Sequence, residues 1–440
     1  MTNETSYGMF QSEPESPANG NSEAAPFSCP VSQTAQSFQP FSKIYLQDPY
    51  KFFKAARGVE PVFYSPEYNY WVVLKYEDIA AVYRDPETYS PVNARHPVTP
   101  ICPAAARIRD QQNLAIEPSL VDEPSETHKH HRKIFGTAFT PRRVNQMNDR
   151  IRAIVDRYID RFINDGRAEL VSQLLYEVPA LAIFLFLGAS DEDAVFVKKL
   201  GSDRAIVNWG TPTETEQIAM MHGMGEHWKF TKDLVDRAIK KPGDNYLGDM
   251  ARIHHDDPSL FTVNYLYNVM FLMQFAGHET TTQASANGIR HLLSDRAQWE
   301  LLCAQPDLIE NAVEEILRID SSIFGWRRIT TRETTLGGVD IPKGARILMM
   351  MGSGNHDEAV FPNGSKFDAT RKNAKKHLGL GLGAHFCMGA PLARLEMRII
   401  LEQLTLRLPQ IQLVDNQPWE YLPTLVFRGV QKLQVEWKVR

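Results

Sequence analysis

Apolar positions recur near every 3.6 residues over Arg142–Asn164, Asp191–Ala205, Thr213–Lys240, Thr262–Leu293 and Asp307–Ile319, which predicts helices through the middle of the chain. Asp307-x-x-Glu310, just after Pro306, has the form of a capping box. Strand-like runs are short: Pro61–Tyr64, Tyr70–Leu74 and Arg346–Met350. They predict small sheets near the start and late in the chain. The fold class read from this pattern is mainly α with small β-sheets, in a single large domain over 41–440. Residues 1–40 are rich in Ser, Asn, Glu, Gln and Pro and are expected to be disordered or loosely draped. No linker and no internal repeat follows Phe41.

The helix predicted over Thr262–Leu293 would run about 45 Å at ~1.5 Å per residue. Its centre, Phe275-Ala276-Gly277-His278-Glu279-Thr280-Thr281-Thr282, is a poor helix former. Threonine hydroxyls capture the carbonyl one turn back and bend helices, so a weakened ladder is expected here. The small side chains at Ala276 and Gly277 leave room for a flat cofactor and a diatomic ligand. His278-Glu279 is not the start of a zinc-protease motif, because Thr282 stands where H-E-x-x-H needs histidine.

The chain has 440 residues, 43% hydrophobic and 23% charged, with a net charge of −5. That composition describes an ordinary globular protein with a large core. No basic block with interleaved aromatics appears, which excludes nucleic acid as the expected partner. Cys29, Cys102, Cys303 and Cys387 are scattered without a C-x-x-C, so neither a zinc site, an iron–sulfur cluster nor a disulfide framework is implied. There is no secretory signal, and the longest apolar run, Val178–Ala189, falls well short of the ~20 residues that span a bilayer. A protein of the reducing cytoplasm, away from membranes, is the expectation.

The densest chemistry lies at Leu380-Gly381-Leu382-Gly383-Ala384-His385-Phe386-Cys387-Met388-Gly389, followed by Ala390-Pro391-Leu392-Ala393-Arg394. One cysteine sits between a glycine-rich loop and a predicted helix start. Loop N–H groups and the helix N-terminus favour a thiolate there, of the kind that serves as an axial ligand of haem iron. A plain buried cysteine is one alternative. A dinucleotide loop is another, but Phe386 replaces its third glycine and the upstream Lys372–Lys376 is no buried strand.

The segment resembles the cysteine-ligand loop of the cytochrome P-450 family, F-G-x-G-x-H-x-C-x-G. It matches at Gly381, Gly383, His385, Cys387 and Gly389 and departs at Leu380, where the family carries an aromatic. Further matching motifs run from about Phe41 to Trp437: His128-x-x-x-Arg132 before Phe139-Thr140-Pro141, Ala276-Gly277-x-Glu279-Thr280-Thr281, Glu315-x-x-Arg318, and Asn355-His356-Asp357. Tyr64-Ser65-Pro66-Glu67, Trp326-Arg327-Arg328 and Phe427-Arg428-Gly429 look closest to a soluble bacterial subgroup often fused to a flavin and iron–sulfur reductase. The chain ends at Arg440, so a stand-alone member or the haem part of a longer protein is expected.

The resemblance implies a haem-thiolate monooxygenase with haem b held by Cys387. Glu279 and Thr280 would be the proton-delivering acid–alcohol pair, and Glu315 and Arg318 a structural ion pair. His128, Arg132, Arg328 and His385 would meet the haem propionates, while Ala276, Leu380, Gly381 and Gly389 lie against the ring. Ile101, Leu272, Ile323, Phe324 and Val426 would line a pocket for a small hydrophobic substrate. Val98, Ile108, Ile116, Leu425 and Phe427 fall in the same segments. His130 and His131 read as solvated helix surface. Electrons would come from NAD(P)H through FMN or FAD and a 2Fe–2S centre, in a ferredoxin or a flavin/iron–sulfur reductase, with O2 as co-substrate. The rival functions are a peroxide-driven haem peroxygenase and a non-catalytic haem sensor.

Overall fold

The long helix forms where predicted, as Val263–Ser294, capped by the Thr262 hydroxyl accepting from Tyr265 N–H. Most of its side chains are buried around the whole circumference, the signature of a helix that crosses the core. It runs unbroken through the Gly277–Thr282 segment. Thr280 Oγ1 donates to Ala276 O at 2.7 Å and Thr282 Oγ1 to His278 O at 3.1 Å, so the hydroxyls back-bond without interrupting the ladder. In the computed structural model the described residues are 31–137, 139–197 and 203–439. The cysteine Cys29 and most of the polar stretch 1–40 lie outside them.

Around this axis pack helices Glu177–Leu187, Ile309–Ile319 and Ala390–Arg407, and their apolar faces merge into one core. The apolar run Val178–Leu187 is buried throughout. Among the described residues no helix is long and apolar enough to cross a membrane.

Several expectations are corrected. Arg142–Asn164 is two helices, Pro141–Gln146 and Asn148–Asp160, that meet at Met147. Asp191–Ala205 comprises Asp191–Val197 and the start of Asp203–Trp209, with 198–202 outside the described residues. The capping box at Asp307 does not form. Pro306–Leu308 makes a 3-10 turn, which puts Leu308 at the cap of helix Ile309–Ile319 and leaves Asp307 before it. The reciprocal cap lies at Thr213 and Glu216 instead. Folded structure also begins before Phe41: Gln33–Ser37 is helical and Phe38 is fully buried among Tyr45, Phe52 and Phe63.

The early and late strand runs belong to a single five-stranded sheet, ordered Val62–Ser65, Tyr70–Val73, Arg346–Met349, Trp326–Thr330, Tyr89–Ser90. Tyr70–Val73 pairs parallel to Arg346–Met349, which joins chain segments far apart in sequence. The antiparallel register Arg328↔Ile347 fixes where Arg328 leaves the sheet. A three-stranded sheet, Arg167–Glu169, Gln434–Glu436 and Gln412–Leu413, closes the C-terminal side.

Candidate active site

The cysteine loop is shaped by its glycines. Gly381 and Gly383 take φ of 71° and 69°, a region strained for any side chain. A 3-10 turn over Gly383–His385 and a bond from Cys387 N–H to Leu380 O at 2.9 Å fold the loop back. Helix Ala390–Arg407 begins directly after it, with Pro391 in its first turn. Burial pushes the Cys387 thiol up; the N–H groups of Gly389 and Ala390 and the guanidiniums of Arg132 and Arg394 pull the other way without overcoming it. The loop N–H groups thus favour a thiolate as expected, but burial outweighs them. A coordinated metal cation would add to the pull towards the thiolate.

Cys387 faces a cavity with about 1600 Å³ of empty space, its open mouth included. Leu380, Gly381, His385 and Gly389 share the Cys387 side. Ala276, Gly277 and Thr280 of the long helix line another wall. Glu279 does not reach the wall. It is buried on the adjoining face of the helix, where Gln283 Nε2 approaches its Oε2 at 3.4 Å.

One rim is cationic. His128 and Arg132, one turn apart on helix Ser125–Gly136, and Arg328 from the sheet all reach the cavity. The His128 and His385 rings stack. Arg132 Nη2 donates to Phe386 O at 2.7 Å and Arg328 Nη1 to Arg327 O at 2.8 Å. Among the described residues neither guanidinium meets a carboxylate. Burial first, then the neighbouring Arg132, pulls His128 down to about 4; burial and then Arg328 pull His385 down to about 2. His385 Nε2 is buried with no partner among the described residues.

Behind the loop, Glu315 and Arg318 form a fully buried bidentate pair at 2.7 Å. Arg371 adds a third member, its Nε donating to Glu315 Oε1 at 3.0 Å. Arg318 also donates to the carbonyls of Asn355, Gly364 and Lys366, so the pair clasps the segment that leads into the cysteine loop.

Of the apolar residues expected around the substrate, Leu272, Ile323 and Phe427 line the cavity. Ile323 and Phe427 face each other across an antiparallel bridge. Their neighbours Phe324 and Val426 do not line the cavity and pack in a core cluster with Leu425 and Val98, which Ile323 and Phe427 also touch. Ile101, Ile108 and Ile116 fill a separate cluster around Met221 and Trp228. His131 is not solvated surface: its ring stacks on Tyr265 at 3.9 Å and its Nδ1 lies 2.7 Å from buried Glu123. His130 is exposed and approaches Leu260 O. The wall residues Tyr83, Trp209 and Met351 carry no motif and read as ordinary core in the sequence.

The sequence pattern of the family described as Cytochrome P450 matches residues 220–428. The cytochrome P450 monooxygenase PikC of Streptomyces venezuelae is 32% identical over 403 residues, covering 90% of this chain and 92% of that protein. This chain belongs to the cytochrome P450 family. Among solved structures, the haem domain of a P450 from Tepidiphilus thermophilus superposes with a TM-score of 0.88 at 36% identity, covering 91% of this chain and 96% of that one. An intact type IV self-sufficient cytochrome P450 monooxygenase superposes with a TM-score of 0.92 at 40% identity over 94% of this chain, which spans 54% of that longer protein. The P450 is therefore an oxidoreductase of the haem-thiolate monooxygenase class, close to the reductase-fused subgroup, and uses O2 and a redox partner.

The residues present fit a haem. A flat group between Ala276 and Cys387 meets apolar walls, and its two carboxylates supply what Arg132 and Arg328 lack, two anions. The partnerless His385 Nε2 accounts for one donor to them.

Proposed function

We propose that this P450 oxidises a small apolar organic molecule with Cys387 as the iron ligand. One observation carries the reading: Cys387, Thr280 and the uncompensated Arg132 and Arg328 open on the same largely apolar space. Bound haem supplies the oxygen activation, with the thiolate donating electron density to the iron. Arg132, Arg328, His128 and His385 hold its propionates, and Leu380, Gly381, Gly389 and Ala276 lie against the ring. Glu315 and Arg318 keep the cysteine loop in register.

Leu272, Ile323 and Phe427 bind the substrate by excluding water and offer it few polar anchors. At rest the Thr280 hydroxyl donates a hydrogen bond to Ala276 O. Its oxygen is then an acceptor on the cavity wall, and when the hydroxyl turns away from Ala276 O it passes its own proton inward and takes one up in its place. Glu279, on the adjoining face, gathers protons from outside the cavity and feeds that hydroxyl. Electrons come from NAD(P)H through FMN or FAD and a 2Fe–2S centre, in a ferredoxin or in a flavin/iron–sulfur reductase, separate or fused to this chain. The 40% identity to a self-sufficient P450 supports that donor type.

Cys387→Ala tests the ligand: the thiolate-type absorption of the carbon-monoxide complex disappears, and an unchanged spectrum refutes the assignment. Thr280→Ala tests proton delivery: reducing equivalents are consumed as before while peroxide rises and product falls. Equal product per electron in parent and variant removes Thr280 from that role.

A further inference from the structure

Helix Asp203–Trp209 sets Arg204 and Asn208 one turn apart on one face. Arg204 is 4% exposed, its guanidinium 4.5 Å from the centroid of the Phe271 ring and 5.8 Å from that of Phe275. Its Nη1 donates to Phe271 O at 3.1 Å, but among the described residues its Nε and Nη2 have no acceptor and no carboxylate pairs with it. Asn208 is fully buried with both amide atoms unengaged.

Segment 94–98 packs against the same face. Val98 N–H donates to Asn208 O at 3.2 Å, and Trp209 Nε1 and Arg327 Nη2 both donate to Ala94 O, at 2.9 and 2.7 Å. Arg95 grips Asp122 through Nε and Nη2, at 2.8 and 2.6 Å, and keeps Nη1 spare. Arg95, Arg204 and Arg327 are all buried, and among the described residues Asp122 is the one carboxylate found with them. Each buried donor left without a partner is costly, so a concentration of them in one place calls for an acceptor. Arg95, Trp209 and Phe275 line the cavity, while Arg204 and Asn208 lie outside its lining, behind these residues.

We propose that Arg204 and Asn208, behind the wall at Arg95, form with it an oxyanion subsite that opens off the cavity, and that the substrate is an apolar body bearing a carboxylate or phosphate-type group remote from the carbon that is oxidised. The inference rests on the monooxygenase reading and narrows its substrate class. Phe271 and Phe275 precede Thr280 by nine and five residues. At ~1.5 Å per residue the anionic group then lies roughly 7–14 Å along the helix from the Thr280 level.

The test uses the haem-loaded protein with matched probes: 4-butylbenzoate, 4-butylphenyl phosphate and neutral 4-butylbenzyl alcohol. Dissociation constants come from the haem absorption shift and from equilibrium dialysis. At least one anion binds tenfold or more tighter than the alcohol, about the strength of one charge-assisted hydrogen bond, and whichever anion wins identifies the head group. Arg204→Gln brings the anion-to-alcohol ratio to near one, while Arg204→Lys keeps part of it. If Arg204→Gln takes up no haem, the parent ratio and the Arg204→Lys ratio decide. An alcohol that binds the parent as tightly as both anions overturns the subsite and leaves water as the occupant, and so does a ratio unmoved by Arg204→Gln. Either result, obtained with a normal haem shift from the alcohol, removes the subsite alone. An unchanged carbon-monoxide spectrum in Cys387→Ala removes the underlying reading instead.

Discussion

The rings of His128 and His385 lie face to face, their centroids 3.8 Å apart and their planes 22° from parallel. One hangs from helix Ser125–Gly136 and the other from the cysteine loop, so the stack pins two separate elements at the cavity rim. Burial together with the nearby arginines keeps both rings neutral. The rim thus presents two cations and two imidazoles with no carboxylate among the described residues, an arrangement completed only by anions.

Arg328 supplies the first prediction. It is 2% exposed, and burial draws its guanidinium down to about 10. Arg328→Gln removes a buried charge-assisted contact to a propionate, worth about 1.5–3 kcal/mol. Haem transfer to an excess of an apo-haem acceptor then speeds up about tenfold or more. A transfer rate equal to that of the parent would show that Arg328 does not hold the cofactor.

Glu315 anchors two guanidiniums, Arg318 and Arg371, with both of its carboxylate oxygens in use. Glu315→Gln leaves those cations buried without an anion. Breaking a buried pair from one side costs about 3–5 kcal/mol. The expected result is a large drop in the thermal midpoint and poor haem content. A midpoint within a few degrees of the parent contradicts the buried-clasp account.

How much of this was legible in the sequence depends on how local each constraint is. The cysteine loop was legible because its glycines, histidine and cysteine act on each other within a few residues. His128 and Arg132 were legible as one helix face, and Thr280 through its place beside Ala276 and Gly277. Arg371 was hidden because its partner Glu315 is far away in the chain and no spacing rule links them. Phe324 and Val426 were misplaced because an apolar residue reads the same whether it lines a cavity or fills a core. Only the packing of the folded chain puts Ile323 and Phe427 on the cavity wall and leaves Phe324 and Val426 in the core. His131 failed for a similar reason: Glu123 and Tyr265, which draw it inward, come from other elements.

Gly379 gives a prediction about ligation. A Cβ placed there would lie 2.4 Å from Leu317 O, a backbone atom of helix Ile309–Ile319 that cannot swing aside. Gly379→Ala therefore pushes the cysteine loop off this helix. The thiolate-type carbon-monoxide band shrinks while the far-ultraviolet circular dichroism stays near that of the parent. A full-intensity band would mean that the loop tolerates the displacement.

Stability should fall on mild acidification because of histidines buried away from the cavity rim. His227 Nε2 lies 2.6 Å from Gln274 Oε1, and His356 Nε2 lies 2.7 Å from Ile319 O. Each ring donates one N–H there, and burial disfavours the second proton that would charge it. Burial pulls His227 down to about 4 and His356 down to about 3, from an ordinary value of 6.5. Below pH 6.5 the unfolded chain binds protons that the folded chain refuses, so the stabilisation is complete above 6.5 and is lost as pH falls towards 4 and then 3. Carboxylates held low, such as Glu314 at about 2, act in the same direction only below their own ordinary value of 4.5. Glu396, fully buried and pushed well above 4.5, acts in the opposite direction from pH 7 to 5, so the histidine contribution is read from the difference between the parent and His227→Gln slopes. Urea unfolding of the haem-loaded protein across that interval shows a falling midpoint, and His227→Gln, which keeps a donor to Gln274, flattens the slope. Equal slopes in parent and His227→Gln from pH 7 to 5 would mean that the His227 ring takes up a proton in the folded state, and burial would not be what keeps it neutral.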